Sequence, residues 1–167
     1  MNRAEIVALL TEVGRRLADR GIEGEMYVVG GAAIALSYDE RRTTRDIDAV
    51  FEPKRLIYDV AAAIGEERAL PQNWLNDAVK GFLASPDVDA VHVLEVPGLR
   101  VAAGSPRMLL AMKVLAHRVG EDDDDVRLLA SELGLSDAAQ VLDLAEDVYG
   151  DRLDAAARFF VEEIFGG

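Results

Sequence analysis

Residues Val28 to Phe51 read VVGGAAIALSYDERRTTRDIDAVF. An apolar run, Met26 to Val29, enters Gly30-Gly31, and a short apolar segment of helical character follows. Arg41, Arg42 and Arg45 then lead into Asp46-Ile47-Asp48-Ala49-Val50-Phe51. Glycines that interrupt apolar runs mark changes of backbone direction, so the order predicted is strand, glycine turn, helix, loop, strand. Side chains alternate faces along a strand. Asp46 and Asp48, two residues apart, therefore share one face while Ile47 and Ala49 take the other. Two carboxylates on one sheet face are a candidate site for a hard divalent cation.

The Asp-x-Asp spacing has little weight alone, because it recurs at Asp87/Asp89 and within Asp122 to Asp125. The ordered set has more. Glycines let a backbone approach a triphosphate closely, the basic loop containing Arg42 and Thr44 offsets phosphate charge, and two carboxylates hold Mg²⁺ beside it.

Working outward, Ile6, Leu9, Leu10, Val13 and Leu17 form a helical stripe that Gly21 and Gly24 end. After the acidic strand, Pro53 stands at a helix start, and Leu56, Ile57, Val60, Ala61 and Ile64 make a second stripe before Gly65. Residues 71–83 are expected to be a short helix and loop. Trp74 within them is either a packing residue or a platform for a base, and packing is the more usual role of a lone tryptophan. Residues 90–96 and 99–103 flank Pro97-Gly98 as a hairpin. Ser105-Pro106 opens a helix through Arg118. Inside it Lys113 is surrounded at i±3 and i±4 by Leu109, Leu110, Ala116 and His117, so its ammonium must snorkel to water or reach an anion. The segments 126–133, 137–148 and 153–165 read as further helices whose apolar residues are packing.

At 167 residues with half of them apolar, the chain is expected to be one domain, a sheet-containing core over 1–104 and a helical part over 105–167. Zero cysteines exclude disulfides and thiolate chemistry, and two histidines make a histidine-rich zinc site improbable. No stretch approaches the roughly 20 apolar residues that cross a bilayer, and no secretory leader is evident, so a cytoplasmic location without membrane contact is expected. A net charge of -13 opposes binding to a phosphate backbone and suits a basic partner or a small substrate. The charge is uneven, with Arg41, Arg42, Arg45, Lys54 and Arg55 around the Asp-x-Asp strand and the acidic excess mostly after Glu121.

The sequence from Gly30-Gly31 to Asp46-x-Asp48 resembles the nucleotidyltransferase superfamily, in which Gly-Gly or Gly-Ser precedes Asp-x-Asp on the next strand. The Arg42-x-Thr44-x-Asp46-Ile47-Asp48 string is similar to the AbiEii-type branch, which includes toxins of bacterial toxin–antitoxin pairs. The string Trp74-Leu75-Asn76-Asp77 adds to the likeness. Ala32 departs from it, since many members carry a hydroxyl at or after the second glycine; backbone N–H groups remain available there.

The resemblance implies an α+β, polymerase-beta-like fold, a small mixed sheet flanked by helices with a helical C-terminal part. It also implies Mg²⁺-dependent transfer of a nucleoside monophosphate from an NTP to an acceptor hydroxyl. Asp46 and Asp48 would hold the metal. Gly30, Gly31, Arg42 and Thr44 would receive the nucleotide. Lys113-x-x-Ala116-x-Arg118 followed by Asp122-x-x-Asp125 is similar to the branch's second signature, which gives Lys113 and Arg118 to phosphate and makes Asp122 and Asp125 candidate active-site acids. A run of four aspartates at a helix start has an ordinary alternative as a solvated cap. Polymerase-like members carry a third carboxylate, for which Glu95 or Asp89 is available. The implied acceptor is a tRNA 3′ end, with an antitoxin as partner; a protein or small-molecule acceptor, or a degenerate, non-catalytic fold that binds a partner protein, are the alternatives.

Overall fold

A computed structural model of the chain describes residues 1–166. It is α+β, and its contacts divide it into two compact units, Met1–Gly81 with Asp89–Gly104, and Phe82–Val88 with Ser105 onward.

The first unit runs α1 (Arg3–Ala18), β1 (Gly24–Val29), α2 (Gly30–Ser37), β2 (Ile47–Glu52), α3 (Lys54–Arg68), β3 (Leu75–Asn76), β4 (Val91–Val96) and β5 (Leu99–Ala103). The strands form one mixed sheet in the order β3-β2-β1-β5-β4. β1 is antiparallel to β2 and parallel to β5, while β3 lies parallel to β2.

Alternation along the strands sends Ile47, Ala49 and Phe51 to a buried face with Met26, Val28, Leu99, Val101 and Ala103. α1 and α3 cover that face with Leu9, Leu10, Val13, Leu17, Ile57, Val60 and Ile64, each side chain contributing about 1.5–3 kcal/mol by its burial. The β4–β5 turn presses onto α1 so closely that a Cβ at Gly98 (φ +82) would lie 2.1 Å from the Gly14 carbonyl oxygen. The other face stays open.

Several boundaries differ from the sequence expectation. β2 begins at Ile47, one residue after Asp46. α3 continues through Gly65 to Arg68, because Gly65 is the floor on which the Trp74 ring rests, a Cβ there meeting Nε1 at 3.2 Å. Trp74 is 1% exposed and its Nε1–H donates to the Ala61 carbonyl at 3.0 Å, so it is a packing residue and no platform for a base. That anchor lets the Ile47 N–H donate to the Trp74 carbonyl at 2.7 Å and creates the two-residue β3, followed by a 3-10 turn over Ala78–Phe82, where a short helix was expected. Tyr58 on α3 fastens the next residue, donating to Asp77 Oδ1 at 2.6 Å.

The second unit contains α4 (Pro106–Ala116), α5 (Asp123–Glu132), α6 (Ala138–Tyr149) and α7 (Ala155–Phe165). α4 is its centre and packs on the other three through Leu109, Leu110, Val114, Val126, Leu129, Val141, Ala145 and Phe160. Ser105 caps α4 by accepting from the Met108 N–H, and Asp87 accepts from both the Ser105 N–H and hydroxyl at 2.7 Å. α4 stops at Ala116 rather than Arg118, since His117 takes a left-handed conformation (φ 36) and closes the helix. No helix among the described residues is long and apolar enough to cross a membrane.

Candidate active site

In the first unit, β1 passes directly into α2 at Gly30, whose φ of +62 would strain any side chain. A Cβ there would lie 3.3 Å from Asp48 Oδ2, and one on Gly31 would lie 3.0 Å from Thr44 Oγ1 and 4.0 Å from Arg42 Nε. The two glycines thus bring the start of α2 against Asp48, Thr44 and Arg42. Val29, which precedes α2, supplies no side-chain cap. The first-turn N–H groups have no intrahelical acceptor, and such a helix start favours an anion.

The loop bearing Arg42, Thr44 and Asp46 is held from both sides. The Thr44 hydroxyl donates to the Asp46 carbonyl at 3.1 Å, and the Thr44 N–H donates to the Met1 carbonyl at 2.9 Å. The Met1 amino group donates back to the Thr44 carbonyl at 2.5 Å. Burial alternates through the segment: Asp46 and Asp48 are half-buried, Ile47 and Ala49 fully so. Asp48 stands opposite Val29 at the end of β1. Hard carboxylate oxygens beside a helix start and an arginine can take a divalent cation together with the phosphates it bridges. Among the described residues no group of three or more His, Asp or Glu side chains is arranged to hold a metal ion. Mg²⁺ accepts fewer protein ligands, being held by one or two carboxylates with phosphate and water completing its shell.

Register removes Glu95 from this neighbourhood. Glu95 pairs with Arg100, Arg100 with Glu25, and Glu25 with Glu52, four residues along β2 from Asp48 and three strands away. That is about 13 Å along the strand and about 14 Å across the sheet, too far for a shared cation. Asp89 lies two residues before β4, the edge strand three places across the sheet from β2. A residue the sequence reading passed over stands in register with Asp48 instead, Asn76 on β3. Its amide is committed to the local turn, donating to the Asn73 carbonyl at 3.3 Å and accepting from the Ala78 N–H at 3.1 Å. The 74–77 string was the available signal, though its strand character depended on Trp74 being buried.

In the second unit Lys113 meets anions supplied by the chain itself. Its side chain is 7% exposed, with Nζ 2.6 Å from Asp122 Oδ1 and 2.8 Å from Asp125 Oδ2. Arg118 grips Asp122 with both Nε and a terminal nitrogen, at 3.0 and 3.1 Å. Burial pushes the Asp122 carboxyl upward, but hydrogen bonds from Lys113 and Arg118 outweigh it and hold it below the ordinary carboxylate range. Asp122 and Asp125 are buried and half of the aspartate run turns inward; Asp124, 99% exposed, is the solvated part.

No curated protein matches the sequence. The crystal structure of an antigenic nucleotidyltransferase-like protein from Paracoccidioides brasiliensis is similar, with 17% identity, 100% of this chain and 99% of that chain covered, and a TM-score of 0.49. The family model described as "nucleotidyltransferase of unknown function (DUF6036)" matches residues 5–151, and the chain belongs to that family.

Proposed function

We propose that the first unit transfers a nucleoside monophosphate from an NTP to an acceptor hydroxyl. The observation behind this reading is the approach of the Gly30-Gly31 helix start to Asp48, Thr44 and Arg42. The glycine backbone N–H groups and Arg42 receive triphosphate oxygens, and Thr44 fixes the loop that presents Asp46. The acceptor oxygen forms a bond to the α-phosphorus as the bond to the β-phosphate oxygen breaks. Pyrophosphate leaves with the electron pair, and the hydroxyl proton passes to Asp46, Asp48 or water.

Asp46 and Asp48 suit Mg²⁺, which when bound neutralises charge on the phosphoryl oxygens and lines up attacking and leaving groups. Lys113 and Arg118 have a phosphate-binding role in the resemblance; Lys113 pairs with Asp122 and Asp125, and the Lys113→Ala variant tests whether it serves phosphate or the helix packing.

The test is incubation with each labelled NTP and Mg²⁺ in the presence of tRNA, protein and small-molecule fractions. Label transfer that disappears in Asp48→Asn and on chelation supports the reading; absence of transfer to every fraction returns the chain to the non-catalytic, partner-binding alternative. The AbiEii-like role, a toxin acting on tRNA 3′ ends, predicts growth arrest on expression that a neighbouring gene relieves. The net charge of -13 favours a second reading, transfer to a small molecule or protein, because a polyanionic acceptor is repelled.

A further inference from the structure

β4 borders the sheet, with one side hydrogen-bonded to β5 and the other facing away from every strand. Among the described residues no backbone hydrogen bond reaches it from a loop or a helix. An edge of free N–H and C=O groups templates another strand unless the chain blunts it with lysine, proline, brevity or a bulge. β4 reads Val91-His92-Val93-Leu94-Glu95-Val96, six residues without lysine or proline, and Val91 is 40% exposed. A bulge is the device it does have.

That bulge changes the parity of the strand. Through His92 the residues of β4 follow one register against β5, and from Leu94 they follow another, with Val93 the extra residue between. His92 stands opposite Ala102 and Glu95 opposite Arg100, so both lie on the open face although they are three residues apart. Val91 and Val96, opposite Ala103 and Leu99, both lie on the covered face although they are five apart. Opposed residues of an antiparallel pair share a face. A regular strand therefore cannot pair with its own copy about a point between two residues, because each opposed couple would be an odd number apart and would disagree in face. β4 can. A two-fold axis between Val93 and Leu94 sets Val91 against Val96, His92 against Glu95 and Val93 against Leu94 of the second copy. Both couples outside the bulge then agree in face. On the open side an imidazole donor meets a carboxylate, and on the covered side valine meets valine.

We infer that β4 is the docking edge for a second copy of this chain, joined in a two-fold antiparallel pair that continues the sheet through both molecules. Six residues a side, against the roughly 20–30 of a standard interface, make this a weak, concentration-dependent dimer. Its formation is independent of nucleotide chemistry.

Sedimentation equilibrium of the whole protein at physiological salt, over a wide range of concentration, is expected to show monomer in exchange with dimer. His92→Glu sets carboxylate against carboxylate twice and should weaken the dimer roughly tenfold or more. Adding Glu95→His to that chain reverses the couple and should restore it. Gln72→Glu adds the same charge at an exposed position near β3, on the opposite edge, and should dimerise as the parent does. The chain has no cysteine, so His92→Cys/Glu95→Cys reads the register directly: mild oxidation should give a covalent dimer, whereas in either single variant the two thiols lie several residues apart and should not join. Circular dichroism checks that each variant is folded, and the cysteine series decides if His92→Glu is not. A protein that stays monomeric at every concentration, a dimer indifferent to His92→Glu or not restored by the reversed couple, an equal loss in Gln72→Glu, or cross-linking as ready in a single cysteine variant as in the double one would each overturn the inference.

Discussion

Two clusters of charge, one in each unit, are built on opposite principles. Around Asp48 the carboxylates are half-buried on an open sheet face, and glycine backbone approaches to within a Cβ's width. Around Lys113 the ammonium and two carboxylates are enclosed and satisfy one another inside helix packing, while the more exposed Arg118 guanidinium closes over Asp122 from the solvent side. A closed, mutually compensated cluster is what a chain needs to bury charge at all, because an ion left without its partner loses hydration and gains nothing in return. An open one, shaped by a glycine turn and loop hydrogen bonds, leaves its carboxylates within reach of solvent. The first cluster should therefore govern chemistry and the second stability.

The largest effect expected is on transfer. Asp48→Asn should lower it by roughly two to three orders of magnitude, while the unfolding free energy from urea denaturation changes by less than about 1 kcal/mol, as for a half-exposed site outside the core. If the variant instead unfolds, the contrast between the clusters fails. Next is Lys113→Ala, which removes the buried cation that Asp122 and Asp125 share and should cost about 3–5 kcal/mol in denaturant unfolding followed by far-ultraviolet circular dichroism. A loss under about 1 kcal/mol together with abolished NTP binding would restore the phosphate role that the family resemblance gives this lysine.

Gly30→Ala comes third. Backbone strain should cost about 1–2 kcal/mol, and the added methyl beside Asp48 should weaken nucleotide binding in a filter assay beyond what the melting temperature predicts. The smallest effect is on pH dependence. The Asp122 carboxyl is held below its ordinary value, so its contribution is complete at pH values above the unfolded-state pKa and disappears as the pH falls through the lower folded one. Acid titration of helicity should show this loss below about pH 4, and Asp122→Asn should flatten that limb of the curve.

Local pattern carried the strand, glycine and helix order of residues 28–51, because each transition there is written in residues a few positions apart. Sheet order was not so written: the parallel pairing of β1 with β5 joins Gly24 to Leu99, and no local periodicity encodes it. β3 escaped notice for the same reason, its two residues becoming a strand only once Trp74 is buried against Gly65 and Ala61. Lys113 was legible as an anomaly on an apolar helix face, and its partners were visible as an acidic run. Which aspartates turn inward depended on the turn at His117 and the start of α5, which put positions 122 and 125 on one side and 124 on the other. Glu95 illustrates the limit of parity arguments, since a strand's faces can be predicted while its distance from another strand cannot.

Trp74, the chain's one indole, is seated between α3 and β3 in the first unit, and the second unit has none. Its fluorescence is consequently a private reporter on the first unit, silent about α4 to α7. Followed beside a helicity signal during unfolding, it separates the melting of one half of the molecule from that of the other without any label being attached.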